Sequence, residues 1–346
     1  MQPVPPPPPR KPKPLTAAQA AGRFVLVAIF FLLARLIAQL SARGFATEEW
    51  TPLISEIMLA FLLLVGFAGF GFVLDNQLEP ISQQGLKLRS GWLGEAGLGI
   101  AFGWGIAVLC VLPMVFFGGI ALHFIATNSA FGWLAADAAY FAFGTLAIQL
   151  AFRGYPFQLA TRAIGELPAA LALAVLYGIL QAYTVGSSTT SMAVNIALGL
   201  LLTMAYLRTR ALWLPWGLHF AWLASRALLF GLTVNGVSSH SPVVQGDPVG
   251  PLFLTGGGYG LDGSWISFLV ILIAMPVLYR ATRDISFERN APVLVPAGLA
   301  VDLDAAAKAQ HEAATREAVP EPKPLVQILP AAAPPPPAAD LDGPRD

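Results

Sequence analysis

Long apolar runs broken by short polar stretches dominate the chain between residues 24 and 279. Eight runs can be marked, at 24–40, 53–74, within 92–124, about 138–157, 168–185, 192–207, 212–233 and 265–279. Runs of this length predict transmembrane helices, which need about 20 apolar residues. The sixth and eighth are short for a full crossing and need extension by their flanks. The expected fold is therefore an all-α, polytopic transmembrane helix bundle of about eight spans.

Both ends break the pattern. Residues 1–22 form a proline-rich arm containing PPPPPRKPKP, expected to be extended or disordered because proline removes donors and resists helix. Its composition also suits a docking peptide. The first apolar run follows this arm too late for a cleavable signal peptide and is expected to stay as an anchor. From about Asn290 the chain turns to alanine, proline and scattered charge. A marginal helix is expected over 303–318. The organisation read from this is an arm (1–22), two N-terminal helices (23–84), a membrane core (85–280) and a mostly disordered tail (281–346).

Composition strengthens the membrane reading. Apolar residues make up 56% and charged residues 12%, with a mean hydropathy of +0.65. A soluble chain carries about 25% charged residues, so soluble enzyme folds are excluded. The net charge of 0 gives nucleic-acid binding no electrostatic support. A single cysteine, Cys110, rules out an intrachain disulfide and a cysteine-based metal site.

Charge also orients the chain. With the N-terminus inside, the inner side receives Arg10, Lys11, Lys13, Arg23, Lys87, Arg89, Arg153, Arg162, Arg208, Arg210, Arg280, Arg283 and Arg289. The outer loops receive Arg43 alone. This asymmetry predicts eight spans with both termini cytoplasmic. The long outer connection 235–264 contains GGGYGLDGS and two aspartates, Asp247 and Asp262. It lacks the lysine of a phosphate-binding loop and is expected to be an ordered loop packed on helix ends.

Polar groups inside the runs are the candidate chemistry, because they are costly in lipid. Glu56 and Glu95 lie near span starts, where an interfacial position is expected. Arg35 is deeper, placed to snorkel or to pair with Glu56. Gln149 and Arg153 are four apart on one helical face, as are Tyr177 and Gln181. Asn195, His219 and Arg226 follow. Gln149, Gln181, Asn195 and His219 give one polar group on each of four successive helices, and are expected to converge on one inward pocket. Such a cluster serves either interhelical hydrogen bonding or a functional site. His219 is a poor zinc centre, since its neighbours are amides and no carboxylate stands in its own span or in spans four to six.

These stretches resemble the CAAX-protease and bacteriocin-processing family of intramembrane metalloproteases, also called the Abi family. The resemblance covers roughly 85–280. The family's first motif, two glutamates, three residues and an arginine before glycine and tyrosine, corresponds to IQLAFRGY at 148–155. Arg153, Gly154 and Tyr155 keep it, whereas Ile148 replaces the glutamate that serves as general base and Gln149 replaces the second. The second motif, an aromatic residue four before a metal-associated histidine, reads Tyr177 and Gln181. The third, a histidine four before a polar partner, reads His219 and Leu223. The lead-in YLRTRALWLPWGLH (206–219) is close to the family pattern.

The resemblance implies a multi-pass protein of the bacterial inner membrane. The substitutions imply a catalytically inactive member, with no catalytic residues and no zinc expected. Such a member would bind a membrane peptide, a lipid-like or prenyl ligand, or a partner membrane protein. One alternative is an active intramembrane metallo-endopeptidase with zinc, its carboxylate supplied by Glu56, Glu95 or Asp137. A small-molecule transporter or handler is the other.

Overall fold

The structure, a computed structural model, describes residues 16–125, 128–184, 186–239, 243–286, 293–294 and 300–301. Among these residues there are ten α-helices: α1 Ala17–Phe45, α2 Thr51–Asp75, α3 Trp92–Phe116, α4 Asn128–Arg153, α5 Tyr155–Ile164, α6 Glu166–Gln181, α7 Thr189–Thr209, α8 Trp213–Ala224, α9 Leu252–Thr255 and α10 Trp265–Ala281. Each apolar run read from the sequence falls on one helix, except the fourth, which crosses from α4 into α5, and the seventh, which covers α8 and the π-helical turn Ser225–Leu229 that continues it. Five helical stretches are long and apolar enough to cross a membrane: α1, α2, α3, α7 and the α4–α5 stretch. The molecule is an all-α, multi-pass membrane protein.

Several expectations need correction. The helix starts at Ala17, where Thr16 and Gln19 form a capping box, so residues 16–22 do not belong to the arm. Residues 1–15 and the predicted helix at 303–318 lie outside the described residues. The fourth span ends at Arg153 rather than near 157. Pro156 stands in the first turn of a new helix, α5, and so starts it afresh after Gly154. Finally, a small antiparallel ribbon interrupts the all-helical pattern. Its strands β1 (Ile120–Phe124) and β2 (Val244–Pro248) join the end of α3 to the long outer connection.

Small residues let the helices approach closely. A Cβ on Gly99 or Gly103 of α3 would collide with the carbonyl oxygens of Leu214 and Leu218 on α8, and one on Gly217 with that of Ala96. This is the small-residue packing expected where lipid removes the hydrophobic drive between helices. Gly178 of α6 and Gly199 of α7 meet Ile196 and Ala174 in the same way. Helix α7 is the centre of the bundle: 61% of its most apolar window is buried, against 17% for α1, whose outer face is lipid-facing leucine and isoleucine.

Basic residues at one end of the bundle tie helix ends together. Arg23 and Arg162 both hold Asp75 at 2.6 Å. Arg89 bonds Glu95 and the Thr209 carbonyl, Arg210 bonds Glu166, and Arg208 lies over Tyr279. Paired tryptophans mark both ends, Trp92 with Trp213 and Trp50 with Trp133, as interfacial aromatic belts do. A second compact unit begins at Pro292, in which strands β3 (Val293–Leu294) and β4 (Ala300–Val301) pair antiparallel.

Candidate functional site

Helices α4, α6, α7 and α8 bring a polar string into the bundle centre. Arg153 donates one bond to Gln149 Oε1 at 3.1 Å and another to the Gly199 carbonyl at 2.8 Å. Gln149 Nε2 lies 3.1 Å from His219 Nδ1, and the Tyr177 hydroxyl 3.4 Å from His219 Nε2. Gln149 and His219 have no exposed surface, and Arg153 and Tyr177 almost none. On α8, Gly217 lies against the Ala96 backbone of α3, two residues before His219.

The chemistry of the string follows from its one obligatory donor. A guanidinium cannot accept, so the Gln149 oxygen faces Arg153 and its amide N–H₂ faces His219. His219 Nδ1 must then accept, which leaves the proton on Nε2, directed at the Tyr177 oxygen. Both ring nitrogens of a neutral imidazole are thereby occupied. This arrangement does not fit zinc, which takes a bare nitrogen lone pair and several further strong donors. Among the described residues no group of three or more His, Cys, Asp or Glu is placed to hold a metal.

Beside this string lies a separate cavity of about 690 Å³ between α1, α2, α4, the end of α6 and the segment 234–239. Ile148 and Leu223 form part of its wall, together with Phe31, Leu59, Phe141 and Phe152. Gln181 lines it, as do Arg35, Glu56, Asp137, Tyr140, Tyr183 and Thr184. Gln149 and His219 do not. The four residues expected to share one pocket are thus distributed: Gln149 and His219 bond each other, Gln181 faces the cavity, and Asn195 bonds back to the Ser191 carbonyl of its own helix.

The other polar residues also find places. Glu95 is held by Arg89 at 2.6 Å and does not line the cavity. Glu56 lines the cavity. Arg35 shares that cavity within electrostatic reach of Glu56, without a direct ion pair between them among the described residues. Tyr140 was not singled out in the sequence, and residues 235–239 were read only as the start of the outer connection, not as cavity wall. Nothing in local periodicity marks a loop that folds back over a cavity.

The long outer connection is ordered and packed, as read. Asp262 reaches Arg226 at 2.8 Å with both side chains buried, and the guanidinium lies 4.0 Å from the Trp222 ring. Tyr259 bonds Thr184 through its hydroxyl and accepts the Gly236 N–H at its carbonyl. Burial pushes the Tyr259 hydroxyl up from its ordinary value. These contacts fix the rim of the cavity at 234–239. Asp247 sits on β2, 3.6 Å from His123.

Fold and site together define a multi-pass helical membrane protein with a buried polar string and an adjoining cavity. Residues 130–225 match the family model described as type II CAAX prenyl endopeptidase Rce1-like. The stretch runs from α4 to the first residue after α8 and contains every motif position discussed above, so the resemblance read from those motifs holds over this segment. No curated protein and no solved structure matches the chain.

Proposed function

We propose that this is a non-peptidase relative of the CAAX proteases that binds a membrane-derived ligand in the cavity beside the old motif positions. The observation that carries the reading is the state of His219. Its two nitrogens are engaged by Gln149 and Tyr177, and its side chain is sealed from the cavity. At the position of the family's general base, Ile148 can take no proton from water. Leu223 offers no hydrogen bond to a developing oxyanion. Gln149 and Gln181 are neutral amides, so an ion held by them would keep its full charge in a low-dielectric site. A cavity of this size, apolar with a few polar groups, is within the ligand-binding range of about 300–1,000 Å³.

The second reading is an active endopeptidase with a rearranged site. Glu56 and Asp137 do line the cavity and favour it to that extent. Among the described residues, no histidine lines the cavity beside them.

In this reading the protein sits in a bacterial inner membrane, with eight crossings and both termini in the cytoplasm. The purified protein is expected to hold no stoichiometric zinc after dialysis and to show no chelator-sensitive cleavage of prenylated or membrane peptides. One zinc per chain, with cleavage lost in His219→Ala, would overturn the proposal. The combined change Ile148→Glu, Gln149→Glu, Gln181→His and Leu223→Asn is expected to restore zinc binding. A folded variant that still binds none would mean that the cavity itself has diverged or that these four positions are misaligned with the family's.

A further inference from the structure

At the end of the bundle away from Arg89 and Arg210, large apolar side chains stand clear of the protein. Helix α3 carries an exposed stripe of Leu109, Leu112 and Phe116 on one face, and Phe117 follows it. Past the turn at Gly118, Phe124 on β1 and Val249, Leu252 and Phe253 around the start of α9 are exposed as well. Phe116, Phe117 and Phe124 are 84%, 83% and 81% exposed, so the described chain leaves them uncovered.

The ribbon sets how these side chains are presented. Directly opposed residues of antiparallel strands share a face. The register puts Ile120, Leu122 and Phe124 with Pro248, Gly246 and Val244 on one face, and Ala121 and His123 with Asp247 and Gln245 on the other. One face is therefore apolar. On the other, Gln245 donates to Asp247, and His123 lies 3.6 Å from the same carboxylate. Ile120 is buried, and a Cβ on Gly246 would meet the Phe230 carbonyl, so the base of the apolar face rests on the bundle. Leu122 and Phe124 extend beyond it. Val249 and Gly250 both donate to the Gly119 carbonyl, which holds the approach to α9 beside the same turn.

Lipid is the occupant that these observations select. The exposed stripe of α3 is a lipid-facing surface, and residues 116–122 prolong it with no polar side chain between. On the other flank, Trp265, Leu269 and Ile273 give α10 an exposed apolar stripe beside α9. A two-stranded ribbon has edges whose backbone groups need partners, so it cannot sink into the hydrocarbon core. Its polar face needs water too. Both needs are met at the headgroup boundary, where amphipathic elements lie flat and aromatic side chains collect. We propose that residues 116–125 and 244–253 form an interfacial collar seated in the lipid leaflet at this end of the bundle. Phe117, Phe124 and Leu252 dip into the acyl region, and His123, Gln245 and Asp247 face the headgroups and water.

The inference is independent of the ligand and zinc readings above. Its test places the full-length protein in nanodiscs of phosphatidylethanolamine and phosphatidylglycerol, which leave both membrane faces open to solutes. One spin label is attached at a time, and the native Cys110, fully buried, stays unlabelled. Labels at Phe124→Cys, Leu252→Cys, His123→Cys and Gln245→Cys are read by power saturation, with oxygen reporting lipid and a nickel chelate reporting water. Phe124→Cys and Leu252→Cys are expected to favour oxygen and to lie about 5–10 Å into the headgroup and acyl boundary. His123→Cys and Gln245→Cys are expected to favour nickel. Nickel reaching all four alike would place the collar in water and overturn the proposal. Labels at 124 and 252 shielded from both reagents would overturn it too, because a protein partner or a second copy would then cover the face. Phe117→Cys replaces either apolar site if that variant does not fold, and is expected to read as they do.

Discussion

Because Arg153 can only donate, it assigns the Gln149 oxygen, and through it the proton on His219 Nε2. Nitrogen NMR of labelled protein is expected to find that single neutral tautomer, and a proton on Nδ1 would mean the Gln149 amide is reversed. Replacing Arg153 by Met removes a buried cation that bonds both Gln149 and the Gly199 carbonyl. Loss of these charged hydrogen bonds is expected to cost about 2–4 kcal/mol, partly relieved because Thr203 also bonds the Gly199 carbonyl. A thermal unfolding transition unmoved by Arg153→Met would count against this. At this scale the sequence was readable where helical spacing decides: Gln149 and Arg153 are one turn apart and do bond. It was silent on rotation and local satisfaction. Asn195 looks equivalent to Gln149 in a hydropathy pattern, yet its amide is satisfied one turn back along its own helix at Ser191. Gln181, the last residue of α6, faces the cavity rather than the string.

Between helices, the order of elements was legible because lipid demands unbroken apolar runs, whereas the close contacts were not, because glycine carries no hydropathy signal. Gly103→Ala tests one of them. Even a methyl group would collide with the backbone of α8, so the change is expected to cost about 1–3 kcal/mol in spite of alanine's better helix propensity. Gly105 on the same helix has open space where a Cβ would go, and Gly105→Ala is expected to be neutral or stabilising. If the two behave alike in thermal unfolding, the tight α3–α8 contact is wrong. The Arg226–Asp262 pair was also hidden, since its partners lie far apart in sequence and only the arginine stood inside an apolar run. Asp262→Ala leaves a buried cation whose remaining partners among the described residues are the Trp222 ring and carbonyl, at an expected cost of about 3–5 kcal/mol. It should also expose 235–264 to limited proteolysis. Arg226→Met combined with Asp262→Leu is expected to recover much of the stability, and no recovery would mean that the pair does more than neutralise itself.

For the molecule as a whole, orientation follows from where charge collects and from what the short helices can span. Helix α6 has 16 residues and α10 has 17. At about 1.5 Å per residue each rises about 25 Å, a little under the hydrocarbon thickness of about 30 Å. Both pack against the longer α7, and the π-helical turn Ser225–Leu229 extends α8. The start of α1, the end of α2, the starts of α3 and α6 and the ends of α7 and α10 are tied together by Arg23, Arg89, Arg208 and Arg210 with their partners. That alternation places the start of α1 and the end of α10 at the same end of the bundle, as the proposed topology requires. Cysteine labelling tests it directly, because the native Cys110 is fully buried and gives a silent background. Arg43 ends α1 and is exposed at the opposite end from Lys87, which is also exposed. In intact cells an impermeant maleimide is expected to label Arg43→Cys and to spare Lys87→Cys until the membrane is opened. The reverse pattern would invert the protein and place its basic end outside, against the charge rule. Labelling of both in intact cells would break the alternation between α1 and α3, and with it the count of eight.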